Sequence, residues 1–168
     1  MHSLTIDSSL AKPALYDQIV QEAAALIQGE TDLIANLANV SSLLYHSLPD
    51  VNWAGFYLLK GDVLVVGPFQ GRPACVRIAI GKGVCGTAAA KRQTIVVPNV
   101  HEFAGHIACD SASNSEIVVP IVKAGSLIGV LDIDSPKRER FDDEDRRGLE
   151  RVVQALVASE WRTADGGR

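Results

Sequence analysis

The stretch that decides the fold is Glu116-Ile117-Val118-Val119-Pro120-Ile121-Val122-Lys123-Ala124-Gly125-Ser126-Leu127-Ile128-Gly129-Val130-Leu131-Asp132-Ile133-Asp134. Two β-branched apolar runs, 116–123 and 126–134, are separated only by Ala124-Gly125. A connection that short makes them an antiparallel hairpin. Alternation puts Asp132 and Asp134 on one face of the second strand while Leu131 and Ile133 enter the other. Two carboxylates on one face of a central strand cost free energy when buried, unless a cation or hydrogen-bond donors compensate them. If Glu116 opens the partner strand, three carboxylates can converge on one cavity, a set suited to a primary ammonium with its three donors. The competing reading is a solvated strand end carrying ordinary surface acids.

Immediately upstream, Gly105-His106-Ile107-Ala108-Cys109-Asp110 leads through Ser111, Ser113 and Asn114 to Ser115. Nothing periodic appears between 100 and 115, which predicts a long irregular connection of the kind that carries function. Cys109 lies in its polar, small-residue part. A cysteine nucleophile acts as the thiolate and needs donors or positive charge nearby; His101, His106 and the backbone N–H groups of 110–115 are the candidates. Cys75 ends a segment, 67–75, with two Gly and two Pro in nine residues, which reads as a loop. It is placed like a partner thiol able to reach an oxidised Cys109. Cys85, between Val84 and Gly86 and followed by a run of Ala, reads first as a packed core thiol.

The rest of the chain supplies the frame. Helical spacing predicts helices over 13–28, with Pro13 in the first turn, and over 31–47, capped by Thr31. Period two returns over 52–60, with Trp53, Gly55 and Tyr57 on one face and Ala54, Phe56 and Leu58 on the other. Gly61-Asp62 turns into a strand over 63–66, and a further strand covers 76–80. Gly81-Lys82-Gly83 precedes a small-residue helix over 84–91, and 94–97 is a short strand. The last helix starts near Asp142, which can cap it, and buries Leu149, Val152, Val153, Leu156, Val157 and Trp161. This order predicts an α+β fold, an antiparallel sheet with helices gathered on one face. The 168 residues are expected to form a single domain, 13–162, between an N-terminal arm (1–12) and a polar tail (163–168).

Composition excludes several classes. The 16 Lys and Arg against 20 Asp and Glu give a formal charge of −4, with no dense basic cluster and 5% aromatics, so nucleic acid is not an expected partner. Met1-His2-Ser3-Leu4-Thr5-Ile6-Asp7 lacks the pattern of a secretory signal, and no run approaches ~18 uninterrupted apolar residues. The expectation is a cytoplasmic protein without membrane contact. Three cysteines in such a chain argue against a structural disulfide framework. A zinc site would draw on His101, His106, Cys109 and one further cysteine, but the paired C-x₂₋₄-C clamp is missing, so no metal is expected. Gly81-Lys82-Gly83 continues into neither a phosphate loop nor a dinucleotide fingerprint, and Ser111, Ser113 and Ser115 lack a G-x-S-x-G elbow.

Taken together, Asn52-Trp53-Ala54-Gly55-Phe56-Tyr57, Gly67-Pro68-Phe69-Gln70-Gly71, Ala74-Cys75-Val76-Arg77-Ile78, Gly83-Val84-Cys85-Gly86-Thr87-Ala88, the 105–110 segment, Ser115 to Pro120 and Gly129 to Ser135 resemble the free methionine-(R)-sulfoxide reductases, which are GAF-domain enzymes. The likeness runs from about residue 15 to 157 and rests on the joint spacing of three cysteines and two carboxylate motifs. It implies a GAF-like fold, with a six-stranded antiparallel sheet, helices on one side and a closed ligand pocket on the other. It also implies roles: Cys109 as nucleophile, Cys75 as resolving cysteine, and Cys85 as an auxiliary or substitute thiol. Glu116, Asp132 and Asp134 would hold the substrate ammonium, and Trp53 and Tyr57 would wall the thioether end. Ala79 departs from the proline expected there, at a position with no assigned role.

The activity so implied is reduction of free methionine-(R)-sulfoxide through a sulfenic acid and a disulfide, recycled by thioredoxin, with no bound cofactor. Either Glu116 or a water is the more open candidate to protonate the sulfoxide oxygen, and the backbone N–H groups of 111–115 are the expected donors to the substrate carboxylate. A non-catalytic GAF sensor of a small amine or nucleotide is the rival reading. A homodimer through the terminal helices is compatible with the sequence.

Overall fold

Period-two alternation along the middle strands sorts large side chains onto two faces of one sheet, and each face builds its own core. In the computed structural model, residues 6–107 and 111–161 are described. The strands are β1 (Trp53–Lys60), β2 (Val63–Gly71), β3 (Arg77–Ala79), β4 (Ile95–Val97), β5 (Ser115–Lys123) and β6 (Ser126–Ser135). They form one sheet in the order β3-β2-β1-β6-β5-β4 with every neighbouring pair antiparallel. The helices are α1 (Lys12–Ile27), α2 (Leu33–Ser47), α3 (Gly83–Lys91) and α4 (Asp143–Ala158).

On one face Ala54, Phe56, Leu58, Ile117, Val119, Ile121, Leu131 and Ile133 pack against the apolar sides of α1, α2 and α4. On the other, Trp53, Tyr57, Val118 and Val130 meet Val84, Cys85, Ala88 and Ala89 of α3. The expected six-stranded α+β fold is therefore present, with α3 as the one α-helix on the second face among the described residues. Its small residues let it lie close to the chain beneath: a Cβ on Gly86 would stand 2.3 Å from the carbonyl oxygen of Ala79.

Two local expectations are corrected. The second helix is capped by Asp32 rather than Thr31, its side chain accepting from Ala35 N at 2.9 Å. The segment 67–75 is not all loop, because β2 runs on to Gly71 and pairs with β1 through Trp53↔Gly71, Ala54↔Gln70 and Gly55↔Phe69. The two prolines and glycines misled the reading because Gly67 and Pro68 form a bulge: the register advances two residues from Gly55 to Tyr57 but three from Phe69 to Val66. A bulge is a place where a strand tolerates proline, which cannot donate to the ladder.

The N-terminal helix is fastened to α4 by a buried charge network. Asp145, fully buried, accepts from Tyr16 Oη at 2.9 Å and Arg140 Nη1 at 3.0 Å on one oxygen, and from Lys12 Nζ at 2.5 Å and Asp142 N at 2.9 Å on the other. Asp142 in turn caps α4 in a reciprocal capping box with Asp145. Beside it Gly148 gives the Tyr16 ring room, since a Cβ there would lie 2.1 Å from Tyr16 Cγ. Removing the Asp145 carboxylate would leave the Arg140 guanidinium, itself 7% exposed, without its buried partner. Asp145→Ala is expected to lower unfolding free energy by about 3–5 kcal/mol in urea titration; a loss under about 1 kcal/mol would show that the network does not fasten these elements.

Candidate functional site

Hairpin register places the acids. Glu116 stands opposite Asp134 across β5 and β6, while Asp134 and Asp132 stand opposite Trp53 and Gly55 across β6 and β1. Directly opposed residues of antiparallel strands point to the same side of a sheet. Glu116, Asp132, Asp134, Trp53 and Tyr57 consequently share the α3 face, where all five line one pocket with Ile78, Val84 and Cys85. Pro73, Ala74, Gly83, His106, Ile107 and Ser113 complete the wall. Cys109 lies outside the described residues.

Gly55 makes the aromatic wall flat. It lies on the same sheet face between Trp53 and Tyr57, and a Cβ on it would lie 2.2 Å from Phe69 Cβ and 2.8 Å from the Trp53 ring. With hydrogen there instead, Trp53 stacks on Phe69 at 5.2 Å between centroids and lies 5.9 Å from Tyr57. Both polar tips are used: Trp53 Nε1 donates to Arg72 O at 3.1 Å, and Tyr57 Oη donates to Cys75 O at 3.1 Å. The wall thus also tethers the segment carrying Cys75, which is itself disulfide-bonded. That tether was missed in the sequence, although a buried Trp or Tyr ordinarily needs a partner for its polar tip.

The electrostatics are one-sided. Glu116 and Asp132 are each 6% exposed, and no Lys or Arg is among the described residues lining the pocket. Burial, followed by mutual repulsion with neighbouring acids, pushes both carboxyls well above their ordinary range. Their oxygens come within 4.8 Å of one another, so the pair holds a proton more readily than either acid would alone. Asp132 Oδ1 is fully enclosed and has no hydrogen-bond partner. Cys85 is buried with its Sγ 3.9 Å from Glu116 Oε1. Burial and the adjacent acids push the thiol up, so it stays neutral and donates. Tyr57 is raised by the same causes. His106 Nε2 approaches Glu116 Oε2 to 3.7 Å, yet burial pulls the imidazole below its ordinary value. At neutral pH this contact is therefore not an ion pair.

The other candidates divide. His106 reaches the pocket, whereas His101 is exposed and bonded to Asn114 Oδ1 at 3.0 Å. Ser113 is buried and accepts from Asn52 Nδ2 at 3.1 Å. Asn114 N donates to Ser135 O at 2.7 Å, which removes it from the expected donors to a substrate carboxylate. No helix among the described residues is long and apolar enough to cross a membrane.

A six-stranded antiparallel sheet with a pocket between the sheet and a short helix defines a GAF domain, and the GAF domain family matches residues 13–159. The chain is 57% identical over 145 residues to the free methionine-R-sulfoxide reductase of Escherichia coli, covering 86% of this chain and 88% of that one. It is 43% identical over 160 residues to the enzyme of the same name from Saccharomyces cerevisiae, covering 90% and 89%. The solved free methionine-R-sulfoxide reductase from Neisseria meningitidis in complex with its substrate matches with a TM-score of 0.90 at 43% identity, over 94% of each chain. The chain belongs to the free methionine-R-sulfoxide reductase family of GAF domains.

Because the folded-state values of Glu116 and Asp132 lie above their unfolded values, these acids favour the fold fully only below the ordinary carboxylate range. Their contribution is lost as pH rises through the raised values. The ligand-free protein should accordingly weaken on going from about pH 5 to pH 8. Asp132→Asn should stabilise it at pH 8 by about 0.5–2 kcal/mol in denaturant titration; a destabilisation would mean that the acid is compensated within the protein.

Proposed function

We propose that the chain reduces free methionine-(R)-sulfoxide to methionine. The single observation that carries this reading is a group of three acids on one pocket face, Glu116 and Asp132 buried and Asp134 half-buried, with no lysine or arginine among the described residues that line it. An α-ammonium supplies the missing charge and three donors. In a peptide that nitrogen is an uncharged amide, so a protein-bound residue would leave the acids uncompensated. Trp53 and Tyr57 then flank the thioether end, and Ile78 adds apolar surface beside them.

Cys109, as thiolate, attacks the electrophilic sulfoxide sulfur. The S–O bond breaks with the oxygen passing to Cys109 as a sulfenic acid, one proton entering from the acid pair, and methionine leaves. Cys75 condenses with the sulfenic acid, releasing water and forming a disulfide. An external dithiol of the thioredoxin type reduces that disulfide by exchange, and the protein itself binds no cofactor. Support for Cys75 in this role comes from its tether to Tyr57 at the pocket wall. Cys85, buried and neutral, acts by donating to Glu116. Glu116 reaches both the thiol and the Asp132 carboxyl, so the proton carried by the acid pair is the source for the departing oxygen.

Oxidation of NADPH, coupled through thioredoxin and its reductase, should follow addition of the (R)-epimer and not the (S)-epimer. Cys109→Ser should abolish turnover. Asp134→Asn should raise KM and lower kcat/KM on the order of 10- to 100-fold, the loss expected for one charge-assisted bond. Binding of the sulfoxide without turnover by the reduced protein would favour a sensor instead.

A further inference from the structure

We propose that Cys85, Glu116 and Asp132, completed by His106, form a binding site for a borderline-soft divalent cation of the zinc class, which excludes the substrate ammonium from the pocket. The ligand atoms of Cys85, Glu116 and Asp132 all lie within 4.8 Å of one another, and all three residues are buried. His106 Nε2 stands 3.7 Å from Glu116 Oε2, and Cys85 Sγ stands 3.9 Å from Glu116 Oε1. Tetrahedral zinc with ordinary bond lengths sets ligand atoms roughly 3.3–3.8 Å apart, so Cys85, Glu116 and Asp132 need only contract, whereas His106, which stands beside Glu116 but outside that close group, has to turn inward to complete the shell. A second observation points to a ligand independently: Asp132 Oδ1 is enclosed without any partner, in a residue 6% exposed that lines the pocket.

The donor chemistry selects the ion. One sulfur, one imidazole nitrogen and carboxylate oxygens suit zinc or cobalt, whereas magnesium and calcium require an all-oxygen shell. Three of the donors come from α3, β5 and β6, so the sheet and the helix hold them. The ion takes Cys85 as thiolate and the two acids as carboxylates. The thiol proton and the proton on the acid pair pass to solvent, and no oxidation state changes. This set shares His106, and Cys85 if that is the further cysteine, with the zinc candidates visible in the sequence, and replaces the others with Glu116 and Asp132. The exclusion of substrate rests on the ammonium reading above; the metal site does not.

The test uses a Cys75→Ser/Cys109→Ser variant, in which Cys85 is the sole thiol, titrated with cobalt(II) and by calorimetry with zinc(II). The expected result is saturation at equimolar cobalt with a thiolate-to-metal charge-transfer band. Cys85→Ser in that background should remove the band, and Asp132→Asn should weaken zinc binding by at least roughly 10- to 100-fold. His101→Ala should leave it unchanged. If the double variant fails to fold by circular dichroism, the wild-type protein with Cys75 in its disulfide gives the same reading, since Cys85 is then free. A band that persists without Cys85, or no saturable binding by folded protein, overturns the site. Free methionine should displace zinc while N-acetylmethionine should not. Zinc bound but indifferent to methionine overturns the mutual exclusion and the ammonium reading with it, and leaves the metal site standing.

Discussion

The pairing of Glu116 with Asp134 across β5 and β6 is the constraint on which the rest depends. It aligns three acids on one face of a sheet whose other face is predominantly apolar, so a slip of one residue would drive the acids into the α1, α2 and α4 core. Ile117, Ile133, Leu131 and Val119 enforce the register by filling that core. The same hydrophobic burial that folds the chain thereby carries carboxylates into a dry place, against their own solvation. In the proposed function their cost becomes the source of selectivity, because a ligand that brings a cation relieves it and a neutral ligand does not.

Around this centre each element has a task beyond packing. α3 closes the second face with small residues and contributes a neutral thiol to the acids. The β1 aromatics supply an apolar wall and, through their polar tips, hold Arg72 and Cys75 at its edge. The Asp145 network works at a distance from the pocket, locking α1 onto α4. The face that carries chemistry can therefore be electrostatically costly while the opposite face supplies stability.

Much of this was legible in the sequence because it depends on periodicity. The 116–134 hairpin, the shared face of Asp132 and Asp134, and the common face of Trp53 and Tyr57 all follow from alternation. What was not legible depends on pairing between segments far apart in the chain. Pro68 reads as a strand breaker until its place in a bulge against β1 is known. The layer occupied by α3 cannot be told from composition, since Val84, Cys85 and the alanines would suit either face. His101 and His106 look equivalent in sequence, yet only His106 lines the pocket.

The central claim, that the acids select a free α-ammonium, is tested most directly by comparing kcat/KM for methionine-(R)-sulfoxide with that for its N-acetyl form, in the wild-type protein and in Asp132→Asn. The account predicts strong preference for the free amino acid in the wild type and a preference reduced by on the order of tenfold or more in the variant. Equal turnover of both substrates by the wild-type protein, or an unchanged preference in the variant, would contradict it.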